Sequence, residues 1–311
     1  QSQVEITKLD CVFKMDQFSD SSFFKGVTYI NNYQNHIYVS DSYNGRIVKL
    51  DDQMNFIAGM GNNGQGPGEF SGVGCSNIYH DTVYSVDYQN LRVNTFSLDG
   101  KFIASHKIND YSLTYNGFCV DDKGFLYFNS VLDTMPFVKY DRHMQRQFSF
   151  GDWYMPQNKE EKNALNQYHL LYFQNKILCI QRENPQINLY EENGTLLLSK
   201  EFDSNIFRNR VNFRKNEHSR QISNKKKMYN LFTSVTSYSN KVFLLYIDHN
   251  KDDNRPNCNK IVELSYSNND FKITNIYQLD PGWYTAICAT EKAIICFNDS
   301  SCEFQIYNLN T

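Results

Sequence analysis

The sequence contains no apolar run long enough to cross a bilayer, which argues against a spanning helix. None of its eight cysteines forms a Cys-x-x-Cys pair, and no cysteine cluster carries histidines at zinc-site spacing. There is no Gly-x-Ser-x-Gly elbow and no P-loop, so neither an α/β-hydrolase nucleophile nor a nucleotide cradle can be read from motif. Gly59-Met60-Gly61-Asn62-Asn63-Gly64 approaches a dinucleotide pattern, but no helix or βαβ unit follows it. Charge of either sign is also missing in excess. The formal net charge of −3 gives no global reason to expect nucleic acid. Prolines number only 6, while aromatics reach 15%, a balance that suits β-rich layers filled by large rings.

What is present is a repeated unit. Ile37, Val39, Ile47 and Leu50 sit at strand spacing around Asn44-Gly45, a hairpin signal because both residues tolerate positive φ. Asp41 ends the first strand of this pair and Arg46 opens the second, so the two can pair across the turn. Gly61 to Phe70, with four glycines and Pro67, suits neither helix nor strand and reads as a crossing between sheets, anchored by Phe70. The pattern recurs with Asp87, Asn90 and Arg92 in the places of Asp41, Asn44 and Arg46, an offset of about 46 residues. Fainter copies follow around Phe125–Phe150, Ile177–Leu198, Val242–Ile276 and Ala293–Tyr307, the last stopping one strand short. Val4 to Leu9 is a lone strand. The expected fold is therefore all-β: one six-bladed β-propeller over residues 1–311, its ring closed by an N-terminal strand, at about 3–13, that completes the last blade.

Tyr38-Val39-Ser40-Asp41 with Asn44-Gly45-Arg46-Ile47 resembles the NHL repeat. Gly64-Gln65-Gly66-Pro67-Gly68-Glu69-Phe70 resembles the connector of secreted six-bladed propellers of gut-type Bacteroidetes. The resemblance implies a chain trimmed of its signal and located outside the cytoplasm: secreted, periplasmic or at the cell surface, with a lipid anchor before trimming left open. It informs fold and location more than activity.

The candidate site residues follow from this architecture. Asp41/Arg46 and Asp87/Arg92 either brace turns within their blades or present guanidinium forks to a carboxylate or phosphate. Two insertions interrupt the repeat where blades hand over. The first holds Trp153, Tyr154 and a helix-like Lys159–Leu165; the second, residues 203–230, holds Arg208, Arg210 and further Lys and Arg. With residues 249–259 and Trp283-Tyr284, these fall on one face of a propeller, the face where loop variation forms binding surfaces. Trp153, Tyr154, Trp283 and Tyr284 either gather at a mouth suited to sugar rings or peptides, or pack loops onto the body. Cys296 and Cys302 flank one turn and could pair in an oxidising compartment. His36 and His80 occupy equivalent turns, as repeats require, and the other histidines share no ligand spacing.

Two function classes remain. One is a monomeric, non-enzymatic recognition module for a glycan, peptide or protein, without cofactor, nucleic acid or membrane span. The other resembles propeller lactonases or lyases, with one calcium or zinc on the axis held by side chains such as Asn129 and Asn298.

Overall fold

In the computed structural model the described residues are 4–18, 22–108, 113–155, 162–202, 205–207, 210, 230–249 and 256–309. They form six sheets in a ring, each built on four antiparallel strands. Blade 1 is Val27–Tyr33, His36–Asp41, Arg46–Leu50 and Phe56–Met60. Blade 2 is Val73–Tyr79, Thr82–Asp87, Arg92–Ser97 and Phe102–Lys107; blade 3 is Leu113–Val120, Leu126–Ser130, Phe137–Tyr140 and Arg146–Phe150. Blade 4 is Tyr168–Phe173, Lys176–Gln181, Gln186–Tyr190 and Leu196–Glu201. Blade 5 is Phe232–Tyr238, Lys241–His249, Pro256–Ser267 and Asp270–Gln278. Blade 6 takes Tyr284–Ala289, Ala293–Asn298 and Glu303–Asn308 from the C-terminus and Cys11–Met15 from the N-terminus.

Ring closure by the N-terminus holds, with one change of register. Val4 to Leu9 does not close blade 6. Ile6–Lys8 lies parallel on the outer strand of blade 5, Ile6 opposite Ile276, and Cys11–Met15 pairs antiparallel with Glu303–Asn308. The closing strand is hard to read because it is an edge, with Val12 and Phe13 exposed and Lys14 between apolar neighbours.

Each repeat also begins one strand earlier than its apolar pattern suggests. The apolar runs at Ile37, Val83 and Ala293 are second strands, buried on both faces. His36 thus opens a second strand and His80 sits in the turn before one, while Asn298 ends a second strand and Asn129 lies one residue from the end of another, not at the ends of innermost strands. The innermost strands, such as VTYINNY and VGCSNIY, are speckled with Asn, Ser, Thr and Gly. Their polar side chains bond across to the next blade. Around the ring run Thr285 Oγ1 to Val27 O (2.8 Å), Thr28 Oγ1 to Val73 O (3.3 Å) and Asn77 Nδ2 to Phe118 O (3.2 Å). The circuit continues with Tyr168 N to Asn129 Oδ1, a second-strand residue (3.0 Å), His169 Nε2 to Phe232 O (3.2 Å) and Ile287 N to Ser234 Oγ (3.1 Å). Every junction between neighbouring blades carries one, each worth about 1 kcal/mol.

Behind these bonds lies one apolar layer per junction. The layer between blades 1 and 2 joins Tyr38, Ile47, Met60 and Phe70 to Val73, Val83 and Phe96. Phe70 is fully buried there, the anchor its place at the end of the crossing suggested. Cys179 and Cys296 occupy such layers, as do Cys75, Cys119, Cys258 and Cys288. All eight thiols are free, so Cys296 and Cys302 are not bonded: Cys296 points into a layer while Cys302 stands on an exposed turn. A thiol reagent applied to the native protein should label Cys302 at once and Cys11, whose thiol burial pushes up, more slowly. The other six should react only on unfolding; fast native labelling of Cys119 or Cys179, read by mass spectrometry, would contradict this packing.

Candidate functional site

Antiparallel four-stranded blades place the turns after second strands and the crossings between blades on one face. On blades 1 and 2 that face is tightly braced. Asp41, fully buried, accepts from Lys25 N (3.0 Å), Asn44 Nδ2 (2.7 Å) and Arg46 Nε (3.3 Å). Burial pushes its carboxyl up, and those three donors pull against it. Arg46 also donates to Ser22 Oγ (3.0 Å) and lies over the Phe18 ring. Gly45 adopts φ +63° with its Cα against Asn63, where any side chain would collide. Asp87 repeats the arrangement with Gly72 N (3.1 Å), Asn90 Nδ2 (2.7 Å) and Arg92 Nε (3.1 Å). Arg92 then spends its remaining donors on Gln65 O (3.0 Å) and Glu69 O (2.5 Å), fastening the glycine-rich crossing. Glu69 Oε2 takes Gly66 N at 2.7 Å. Arg92 is engaged by its own turn and by the crossing before its blade, and Arg46 by its own turn and Ser22, so in this geometry both brace turns.

Tyr29, nine-tenths buried, comes within electrostatic reach of Cys75, Cys288 and Cys119 from three other innermost strands. Burial pushes Cys75 and Cys288 up to about 12, holding them as thiols. Asn129 is committed elsewhere, its Oδ1 taking Tyr168 N (3.0 Å) and its Nδ2 bonding Pro136 O and Asn166 O. Asn298 Oδ1 takes Ser300 N at 3.1 Å. Among the described residues no three His, Cys, Asp or Glu side chains converge as a metal site.

Over blades 3 to 5 the same face is built up. The second and third strands of blade 5 run 9 and 12 residues and extend beyond their counterparts. Trp153 Nε1 donates to Thr134 O (2.8 Å), tying the crossing after blade 3 to the turn of that blade, and Lys162 Nζ covers the indole at 4.3 Å. Lys162–Leu165 is a single helical turn. Asn166, fully buried, clamps Tyr154 at both its N (2.8 Å) and its O (2.9 Å). Arg146 Nη2 meets Asp133 Oδ2 at 2.6 Å. Burial raises that carboxyl, but Arg146 and Thr134 outweigh it and hold it below the usual range. Within this polar frame Leu132, Met135, Tyr154 and Met155 stand exposed, Met155 by 71%.

Arg210 is buried instead of presented. Its Nε and Nη2 grip Asn230 O at 3.1 and 2.9 Å and its Nη1 approaches His249 Nε2 at 3.5 Å. Burial and that guanidinium hold His249 below its ordinary range. Arg208, like the rest of the basic run, lies outside the described residues. Trp283 is half-buried, its N bonded to Ser300 Oγ (3.0 Å), and packs on the layer between blades 5 and 6. Tyr284 is fully interior, with its hydroxyl on Gln305 Oε1 (2.6 Å) and Tyr307 (2.7 Å). Trp153 and Trp283 therefore serve different junctions, and of the four aromatics only Tyr154 is exposed enough to offer a partner its ring. Sequence reading missed the buried polar group behind this face: Arg182, with Nη1 on Gln167 Oε1 (2.8 Å), His169, and Asp248 with Lys260 Nζ (2.7 Å). Only the charged run Gln181-Arg182-Glu183 directly after an apolar strand hinted at it.

A family model for a 6-bladed beta-propeller, DUF5128, matches residues 9–254. The chain belongs to that family. Among solved structures it is similar to a Bacteroides fragilis protein whose export is inferred (14% identity, 98% of this chain and 94% of that one, TM-score 0.60). It is similar too to a DUF4221 member from Bacteroides vulgatus (8% identity, 97% of each chain, TM-score 0.61). A third is a catalytically inactive virginiamycin B lyase from Staphylococcus aureus with quinupristin (10% identity, 96% and 99%, TM-score 0.56). At these identities the DUF5128 chain shares their fold. A search of the curated proteins finds no match. No helix among the described residues is long and apolar enough to cross a membrane.

Proposed function

We propose that this DUF5128 propeller is a non-enzymatic recognition module, secreted or held at the cell surface, that binds a peptide, glycan or partner protein through the face over blades 3 to 5. One observation carries the reading. Apolar side chains at Leu132, Met135, Tyr154 and Met155 are exposed on two loops that are held in place: Trp153 Nε1 ties one to the other at Thr134 O, Asn166 clamps the Tyr154 backbone, and Arg146 anchors Asp133. A rigid frame that holds apolar groups in water gains by covering them, and does not need to reorganise to do so. The similarity to a Bacteroides protein whose export is itself inferred is what supports the location.

The test is to probe the protein on a glycan array and on a peptide array, then repeat with Tyr154→Ala/Met155→Ser. Both side chains are exposed, so the urea midpoint should stay put while retained signal falls about tenfold or more, as for hot-spot residues. Undiminished binding by the double variant would sink the reading. So would turnover of a lactone or ester panel that EDTA abolishes.

A further inference from the structure

Beside that exposed patch an open groove of about 380 Å³ runs between the outer strand of blade 3 and the last turn of blade 4. Its walls are Met135, Phe148 and Phe150 on one side and Tyr190 and Leu196 on the other, with Asp152 at the end next to the patch. Three contacts fix the walls in place. Lys139 Nζ bonds Glu192 O at 3.0 Å, Tyr172 hydroxyl bonds Glu192 Oε1 at 3.0 Å, and Lys123 pairs with the other oxygen of that carboxylate. Gly194, at φ +86°, lets the turn approach Phe150 closer than any side chain would permit.

The groove lies along a sheet edge. Arg146–Phe150 is the outermost strand of its sheet, and among the described residues the only strand that pairs with it is Phe137–Tyr140. The chain itself shows what such an edge accepts. On blade 5 the extended segment Ile6–Lys8 adds in parallel to the last three residues of the outer strand, Ile276 to Gln278. The groove flanks the corresponding last three residues of the outer strand of blade 3, Phe148 to Phe150. Here two apolar side chains are additional, since Met135 and Leu196 are 42% and 46% exposed in a lining that also holds Ser149, Asn193 and Thr195. Asp152 is exposed at the rim and asks for a cation.

We propose that this edge and groove bind an extended peptide from a partner protein by β-strand addition, parallel to Arg146–Phe150. Alternate apolar residues of the peptide enter between Met135 and Leu196, and one Lys or Arg meets Asp152. Main-chain bonds supply affinity that is independent of sequence, and the walls and carboxylate supply selection. This rests on the recognition reading and names its partner class.

The experiment pans a phage-displayed library of random linear decapeptides against the intact protein, then measures one synthetic hit. Expected are hits with alternating apolar residues and one basic residue, and slowed amide exchange at Gln147 to Phe150 on binding. Met135→Glu and Leu196→Glu should each weaken the hit about tenfold or more, and Asp152→Lys should weaken it roughly fivefold and favour a hit whose basic residue is replaced by Glu. A copy of the hit N-methylated at alternate amides should not bind. Equal binding by the N-methylated copy, or hits indifferent to all three groove variants, overturns the proposal. If such hits are instead lost in Tyr154→Ala/Met155→Ser, the face still recognises a partner and only the groove assignment falls. If neither peptides nor the glycan array give binding, both fall.

Discussion

Asp87→Ala should cost about 3–5 kcal/mol of stability, the range for removing one partner of a buried charged pair. The side chain is wholly buried and gathers the backbone N–H of Gly72, the Asn90 amide and the Arg92 guanidinium around one carboxylate. Without it those donors lose their acceptor in a site water cannot readily enter. Arg92, only 13% exposed, would be left with the carbonyls of Gln65 and Glu69 and no counter-charge. Asp87→Asn retains one acceptor oxygen and should lose less, about 1–2 kcal/mol. Asp41→Ala should fall below Asp87→Ala, because Arg46 fastens no crossing carbonyl and leans on Ser22 Oγ and the Phe18 ring. Urea denaturation of the three variants orders them. An Asp87→Ala loss under about 1 kcal/mol would mean that the pair behaves as a surface bridge and that its repetition has some other cause.

That same Asp-Asn-Arg set explains why the fold was legible. It recurs twice at blade spacing because each copy solves one mechanical problem, holding the segment before an innermost strand against the turn after the second strand. The second strands were equally plain, since burial on both faces demands continuous apolar runs. The innermost strands were not. Asn31, Asn77 and Thr285 look like loop residues in sequence, yet they are the donors that bond one blade to the next. The site was harder still. Arg46 and Arg92 could be read as turn braces or as ligand forks, because sequence cannot show that carbonyls of Gln65 and Glu69 already engage Arg92. Trp153 and Trp283 drew notice because they lie in the crossings between blades, while the most exposed apolar side chains of this face are Leu132, Met135 and Met155, whose residue types are ordinary in any core. Exposure of a common apolar residue is a property of packing and leaves no mark on the chain. Opposite-wall residues of the groove, such as Met135 and Leu196, are brought together only by ring geometry.

Acidification should remove on the order of 4 kcal/mol of stability through His169 alone. The ring is 1% exposed, and its Nε2 stands 3.2 Å from Phe232 O, so the neutral form donates a proton there and links blade 4 to blade 5. Burial first, and the Arg182 guanidinium second, pull its pKa from 6.5 down to about 3. An unfolded chain takes up a proton on this histidine near pH 6.5; the folded chain refuses it until about pH 3. Stability is therefore complete above the unfolded value and drains as the pH falls through that window, at ~1.4 kcal/mol per pH unit once the unfolded ring is charged. His249, held low by burial and Arg210, adds a loss of the same sign. Glu263 enters only toward the acid end. Burial raises its carboxyl, but Thr274, Asn275, Tyr277 and Lys241 outweigh that and keep it charged to lower pH. Urea titrations between pH 7.5 and about pH 4.5 separate the contributions, because carboxylates contribute little above that range. His169→Gln retains a neutral donor and should flatten the slope by close to one proton while costing only a modest fixed amount at pH 7.5. Parallel slopes for the two proteins would show that the imidazole is solvated in the native ring, and that the bond to Phe232 does not help hold blades 4 and 5 together.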